Sequence, residues 1–291
     1  MVTHNASTSC LCARRLGVTL PLHKELAMRA LFSFLYGVAA YVAFQAVLLY
    51  FIGFSGNLVV PKSVDVGAGA PWVEAFGTDL LLLTLFGVQH SVMARRGFKR
   101  WWTRVVPPVV ERSTYVVATC VVLALMFRFW VPIETPVVWR VEHGAGVALL
   151  WSLFGLGWLV ALVSTFLINH FELFGLQQVF ARLTQRAMPE ARFRTPLLYR
   201  WVRHPLYAGF LLTFWSVPVM TAGRLLFAFG FSAYILIGIA FEERDLIRQF
   251  GERYRTYRKQ VGMLIPHARS SGRIAGDGSA PTDERPRSTR S

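Results

Sequence analysis

Three histidines, a tyrosine and several carboxylates fall where apolar runs begin or end. His90 closes the run containing Gly87-Val88-Gln89-His90-Ser91. Asn169, His170 and Glu172 close another. Arg203, His204 and Tyr207 open a third, and Glu242 and Glu243 close the last. An imidazole is a proton acceptor near neutral pH, and a neighbouring carboxylate can orient it. His170, with Glu172 as its orienting partner, and His90 are therefore the candidate bases. Arg203 offers a cation for an anionic ligand group, the paired glutamates offer acceptors for an amine or a hydroxyl, and Tyr207 and Phe241 offer aromatic walls. Pro205 suits the first position of a helix, where its missing N–H costs nothing, and the free N–H groups of that turn favour an anion.

The elements that must position these residues are long and apolar. Soluble domains carry about 25% charged residues; this chain of 291 residues carries 16%, with 54% hydrophobic and 14% aromatic residues. The first apolar run, Ala30 to Phe54, is too long for the hydrophobic core of a signal peptide and reads as an uncleaved first span. Five more follow at roughly Gly77–Met93, Tyr115–Val131, Ala145–Ile168, Leu206–Ala222 and Leu225–Phe241. About 20 helical residues cross the roughly 30 Å of a bilayer core. The expected fold is therefore an all-α polytopic bundle of about six transmembrane helices. The last two form a tight hairpin that turns at Ala222-Gly223-Arg224, with Pro218 weakening the helix before it.

Charge sets the orientation. Of 31 Lys and Arg residues, 27 lie in the leader, in the connections after the second and fourth spans, and in the tail from Glu242; the other side has Lys62, Arg128, Arg140 and Arg224. By the positive-inside rule both termini face the cytoplasm. The same distribution explains the net charge of +15 better than nucleic-acid binding does, and no nucleic-acid partner is expected. Cys10 and Cys12 lack the second pair that a zinc site needs, and Cys120 lies in an apolar run where it packs. No metal site is expected.

This topology brings His90, His170, Glu172, Arg203, His204, Tyr207, Glu242 and Glu243 to one membrane face. Each alone reads as an interfacial anchor; together they read as a site. Their types suit S-adenosylmethionine, although dinucleotides ask for similar groups. No G-x-G-x-x-G fingerprint of a soluble nucleotide-binding fold is present. Beyond the glutamates, Leu246, Phe250, Tyr254, Tyr257 and Val261 form one helical stripe, opposed by Arg244, Arg248, Arg255 and Arg258. This predicts an amphipathic helix at the membrane interface, either an anchor or a cover for the site. Residues 267–291 are rich in Ser, Arg, Gly and Pro and are expected to be disordered.

Arg203-His204-Pro205-Leu206-Tyr207-Ala208-Gly209, the apolar hairpin, Glu242-Glu243-Arg244-Asp245-Leu246 and Tyr254-x-x-Tyr257 resemble the C-terminal core of the isoprenylcysteine carboxyl methyltransferase superfamily, over roughly residues 199–266. Gly87-Val88-Gln89-His90-Ser91-Val92-Met93-Ala94-Arg95, Val110-Glu111-Arg112-Ser113-Thr114-Tyr115 and Asn169-His170-Phe171-Glu172-Leu173-Phe174-Gly175-Leu176 are similar to its nurim-like branch and its bacterial methanethiol S-methyltransferases. The resemblance implies a methyltransferase domain over residues 29–266, between a polar leader (1–28) and the basic tail. It implies S-adenosylmethionine as methyl donor, a small thiol as acceptor, and Arg203, His204, Tyr207, Glu242 and Glu243 as the donor-binding group. A thiol must lose its proton before attack, which gives His170 and His90 their expected role. The residues alone leave open a prenylcysteine carboxylate or a lipid as acceptor, an NADPH-dependent membrane reductase, and a non-enzymatic or haem-binding protein.

Overall fold

The computed structural model describes residues 19–189 and 193–266. The leader before Thr19, with Cys10 and Cys12, and the tail from His267 lie outside the described residues. The described chain is helical throughout apart from one two-stranded ribbon. In order it forms α1 (Thr19–Gly56), α2 (Trp72–Ala94), α3 (Arg96–Trp102), α4 (Pro108–Phe129), β1 (Val137–Arg140), α5 (Gly144–Ile168), α6 (His170–Leu173), α7 (Leu176–Leu183), α8 (Pro205–Trp215), β2 (Val219–Thr221), α9 (Ala222–Phe250) and α10 (Glu252–Gln260). Prolines at the first helical position start α4 and α8, as the fixed φ of proline favours. Thr221 caps α9, its hydroxyl accepting from the Arg224 N–H at 3.1 Å.

Five helices, α1, α2, α4, α5 and α9, are long and apolar enough to cross a membrane, and α8 is a shorter apolar helix. The protein is a multi-pass helical membrane protein. The segment expected as a single helix over Leu206–Ala222 is built differently. Pro218 cannot continue a helix and disfavours helical geometry in the residue before it. Accordingly α8 stops at Trp215 after 11 residues, about 16 Å. The chain continues as the extended strand β2, which pairs antiparallel with β1. The turn therefore precedes Ala222, and Arg224 lies in the first turn of α9 instead of in a loop.

The two ends of the bundle are built differently. At one, Arg224 Nη2 and Nε bond Asp65 Oδ2 at 2.6 and 2.9 Å, Nη1 bonds the Ser55 carbonyl at 2.6 Å, and Thr221 donates to Asp65 Oδ1 at 2.6 Å. This ties the loop after α1 to the start of α9. The other end gathers the start of α4 and the ends of α2, α5 and α9 with the start of α8. Between them runs an aromatic core that includes Phe51, Phe54, Phe127, Trp130, Phe227 and Phe231. Cys120 is a buried free thiol, as expected.

Close approach fixes α8 against α5. A side chain at Gly209 would meet the Gly157 carbonyl at 2.6 Å and the Ala161 nitrogen at 2.7 Å; one at Gly157 would overlap Thr213. Small residues four apart on both helices permit this contact. Beyond α9 the chain breaks at Gly251 (φ 56°), and α10 folds back. Its apolar stripe is covered by protein: Tyr254, Tyr257 and Val261 are buried against Phe193, Leu246, Ile247 and Phe250.

Candidate functional site

The segment after α10 returns to the start of α8 and runs alongside it. Val202 bridges Gly262 in parallel, Arg203 N–H donates to the Gly262 carbonyl at 2.8 Å, and His204 N–H to the Met263 carbonyl at 3.1 Å. This pairing sets the Arg-His-Pro turn next to the last turns of α9, where the two glutamates stand.

The glutamates differ in environment. Glu243, with 8% of its side chain exposed, is filled from all sides. Oε1 accepts from Arg203 Nε at 2.8 Å and His204 Nε2 at 3.2 Å, and Oε2 lies 3.2 Å from Arg258 Nε. Since a carboxylate only accepts here, His204 presents its Nε2–H. Arg203 also donates Nη1 to the carbonyls of Arg258 (2.9 Å) and Val261 (2.5 Å). Glu242 is 43% exposed. Oε2 accepts from the Tyr207 hydroxyl at 2.9 Å and lies 3.9 Å from His204 Nδ1, and Oε1 has no hydrogen-bond partner among the described residues. The five residues expected together are together, but they divide into a closed hub around Glu243 and an open pair, Glu242 and Tyr207.

His90 belongs to the same end. Its ring stacks on Phe86 (5.3 Å between centroids), lies 4.9 Å from Tyr115, and meets Tyr234 edge-on at 5.8 Å. Tyr234 lies eight residues before Glu242 on α9, so His90 and the Glu242–Tyr207 pair stand along the same helix at this end of the bundle. Nδ1 of His90 is 3.2 Å from Thr119 Oγ1, whose own hydrogen goes to the Tyr115 carbonyl. With Nδ1 donating there, Nε2 is the acceptor and has no hydrogen-bond partner among the described residues.

His170 stands elsewhere. It is 3% exposed, stacked on Phe166 at 4.1 Å and edge-on to Tyr41 and Phe174. Thr165 Oγ1, whose hydrogen goes to the Leu162 carbonyl, lies 2.8 Å from Nδ1, and the Tyr41 hydroxyl lies 2.8 Å from Nε2. The ring therefore donates at Nδ1 and accepts at Nε2, with both nitrogens committed. Burial holds its basicity below the usual histidine range. Glu172 does not orient it. Asn169 caps α6 and takes the Glu172 carboxylate at 2.8 Å, which turns that side chain away from the imidazole; Thr165 and Tyr41 fill the orienting role instead.

Sequence reasoning passed over Tyr234, seven residues before Phe241 and so on the same face of α9, and Arg258, which reaches Glu243 only because the chain folds back at Gly251. The spacing to Phe241 was a usable signal for the first; nothing local marks the second. A cavity of about 300 Å³ between Asn57, Trp151, Pro218 and Arg224 lies at the other end of the bundle and is separate from this group. Arg224 and Glu242 are 18 residues apart on one helix, about 27 Å.

The chain is 51% identical over 239 residues to methanethiol S-methyltransferase of Mycobacterium tuberculosis, covering 82% of this chain and 98% of that protein. It is 52% identical over 238 residues to methanethiol S-methyltransferase 1 of Bradyrhizobium diazoefficiens, covering 82% and 83%. Human nurim is 36% identical over 204 residues, 64% of this chain and 77% of nurim. No family model and no solved structure matches the chain.

Proposed function

Because the chain belongs to the methanethiol S-methyltransferase family, we propose that it moves a methyl group from S-adenosylmethionine to methanethiol at the cytoplasmic face of the cell membrane and releases dimethyl sulfide. The observation that carries this reading is that one end of the bundle holds both the Glu242–Tyr207 carboxylate–tyrosine pair and His90, whose ring lies against Tyr234. The donor, when bound, supplies a sulfonium-bound methyl electrophile. The residues suit it: the open oxygen of Glu242 takes an ammonium or hydroxyl group, and Phe241 and Tyr234 offer flat apolar walls.

The chain's own groups then divide the work. Arg203, His204, Glu243 and Arg258 position the turn and the last stretch of α9, so that Tyr207 can hold the Glu242 carboxylate in one orientation. His90 Nε2 accepts the thiol proton as the sulfur lone pair forms the new S–C bond, and the electrons of the broken S–C bond stay with the donor's sulfur. Positioning supplies much of the rate. His170, with both nitrogens committed, serves the packing of α1 against the end of α5. The basic ends of α2, α7 and α9 support a cytoplasmic orientation of this face. The test is headspace gas analysis of cells that express the protein and are fed methanethiol: dimethyl sulfide above the vector control supports the reading, and its absence from cells containing folded protein rejects it.

A further inference from the structure

We propose that Arg95, at the end of α2, receives the carboxylate of the methyl donor while Glu242 takes its ammonium group, so that the donor's amino-acid end is gripped between α2 and α9. This rests on the reading above that the donor is S-adenosylmethionine.

Arg203 is the obvious cation in the sequence, but its guanidinium is spent. Nε serves Glu243, Nη1 serves two backbone carbonyls, and only 10% of the side chain is exposed. Arg258 is committed to Glu243, and Arg112 is tied across to α6, its Nε donating to the Leu173 carbonyl at 2.7 Å. Arg95 is different. Its side chain is 37% exposed. Its hydrogen bond runs from Nε to the Ser91 carbonyl of its own helix. Its nearest carboxylate, Asp245, is 3.6 Å away, beyond good hydrogen-bonding distance. Asp245 also has Arg248 at 3.4 Å, so it keeps a partner when Arg95 turns to a ligand.

Position supports the pairing. The Arg95 guanidinium carbon lies 4.8 Å from the centre of the Phe241 ring. Phe241 immediately precedes Glu242, and Asp245 follows it by one turn on neighbouring faces of α9. Arg95 thus lies against α9 at the residues on either side of Glu242, over Phe241 and beside Asp245. Glu242 keeps Oε1 open, and Arg95 keeps Nη2 without a hydrogen bond among the described residues. One under-used cation and one half-open carboxylate complement a zwitterionic α-amino acid, which a guanidinium fork and a carboxylate recognise by charge-assisted hydrogen bonds.

The experiment is calorimetric titration of the detergent-solubilised full chain with S-adenosylmethionine and with its decarboxylated analogue. Wild type should prefer the carboxylate-bearing ligand by about ten- to a hundredfold, the range of one or two charged contacts. Arg95→Gln should abolish that preference by weakening S-adenosylmethionine alone. Asp245→Asn, which frees Arg95, should not weaken it. Should Arg95→Gln not fold, Arg95→Lys is read instead, and the preference should shrink without vanishing. Equal weakening of both ligands, or an unchanged preference, would mean that Arg95 only holds α2 against α9 and would overturn the proposal. Failure of wild type to bind either ligand would remove the donor reading itself.

Discussion

Glu242 and Glu243 are adjacent and chemically identical, and the structure gives them opposite consequences on substitution. Glu243→Gln removes the charge that balances a guanidinium with 10% of its side chain exposed, and it disturbs contacts to His204 and Arg258. Breaking one partner of a buried ion pair costs about 3 to 5 kcal/mol, because the other charge stays buried and uncompensated. Half-exposed Arg258 adds little, since solvent screens it. A loss near 3 kcal/mol corresponds to roughly 6 to 12 °C in Tm for a domain of this size. Glu242→Gln removes one hydrogen bond, from Tyr207, at a solvent-screened position, so its effect on stability should stay below about 1 kcal/mol. Methyl transfer and donor binding should instead fall by about tenfold or more. Thermal unfolding in detergent and donor titration on both variants give the crossed pattern. An early-melting Glu242→Gln, or a Glu243→Gln that melts like wild type, would refute the division into hub and open pair.

Other consequences follow from the same geometry. His90→Ala should lower turnover about a hundredfold or more, whereas His170→Ala should keep turnover close to wild type; a loss confined to His170→Ala would reverse the assignment. His170 accepts a proton less readily folded than unfolded, so its contribution to stability is complete above about pH 6.5 and is lost as pH falls below that. The decline in Tm between pH 7 and pH 5 should therefore be shallower in His170→Gln, and an equal slope would contradict this. Gly209→Val should abolish the folded species in size-exclusion chromatography, since no room separates α8 from α5, while Gly97→Ala, which opens on free space, should leave it unchanged. Reporter fusions after Lys62 and Arg140 should read as external and after Arg104 and Pro266 as cytoplasmic; an external reading at Pro266 would invert the topology.

Much of this arrangement is legible in the residues. Apolar run lengths give the long helices, and the polar residues at their ends name the group that the fold assembles. What escapes is tertiary. Pro218 is visible as a helix weakener, but its consequence, a helix cut short and followed by β2 against β1, needs the partner strand some eighty residues earlier. Glu172 sits two residues from His170 and looks like its partner, yet the Asn169 cap redirects it. Nothing in the pair Glu242-Glu243 says which carboxylate is sealed; Arg258, brought back by the break at Gly251, decides that.

The central claim is tested most directly with the purified full chain, S-adenosylmethionine deuterated in its transferable methyl group, and unlabelled methanethiol in a sealed vial. Mass spectrometry of the headspace should show dimethyl sulfide carrying one fully deuterated methyl, at a rate that falls in Glu242→Gln and His90→Ala. Folded, donor-binding protein that yields no labelled dimethyl sulfide would contradict the account.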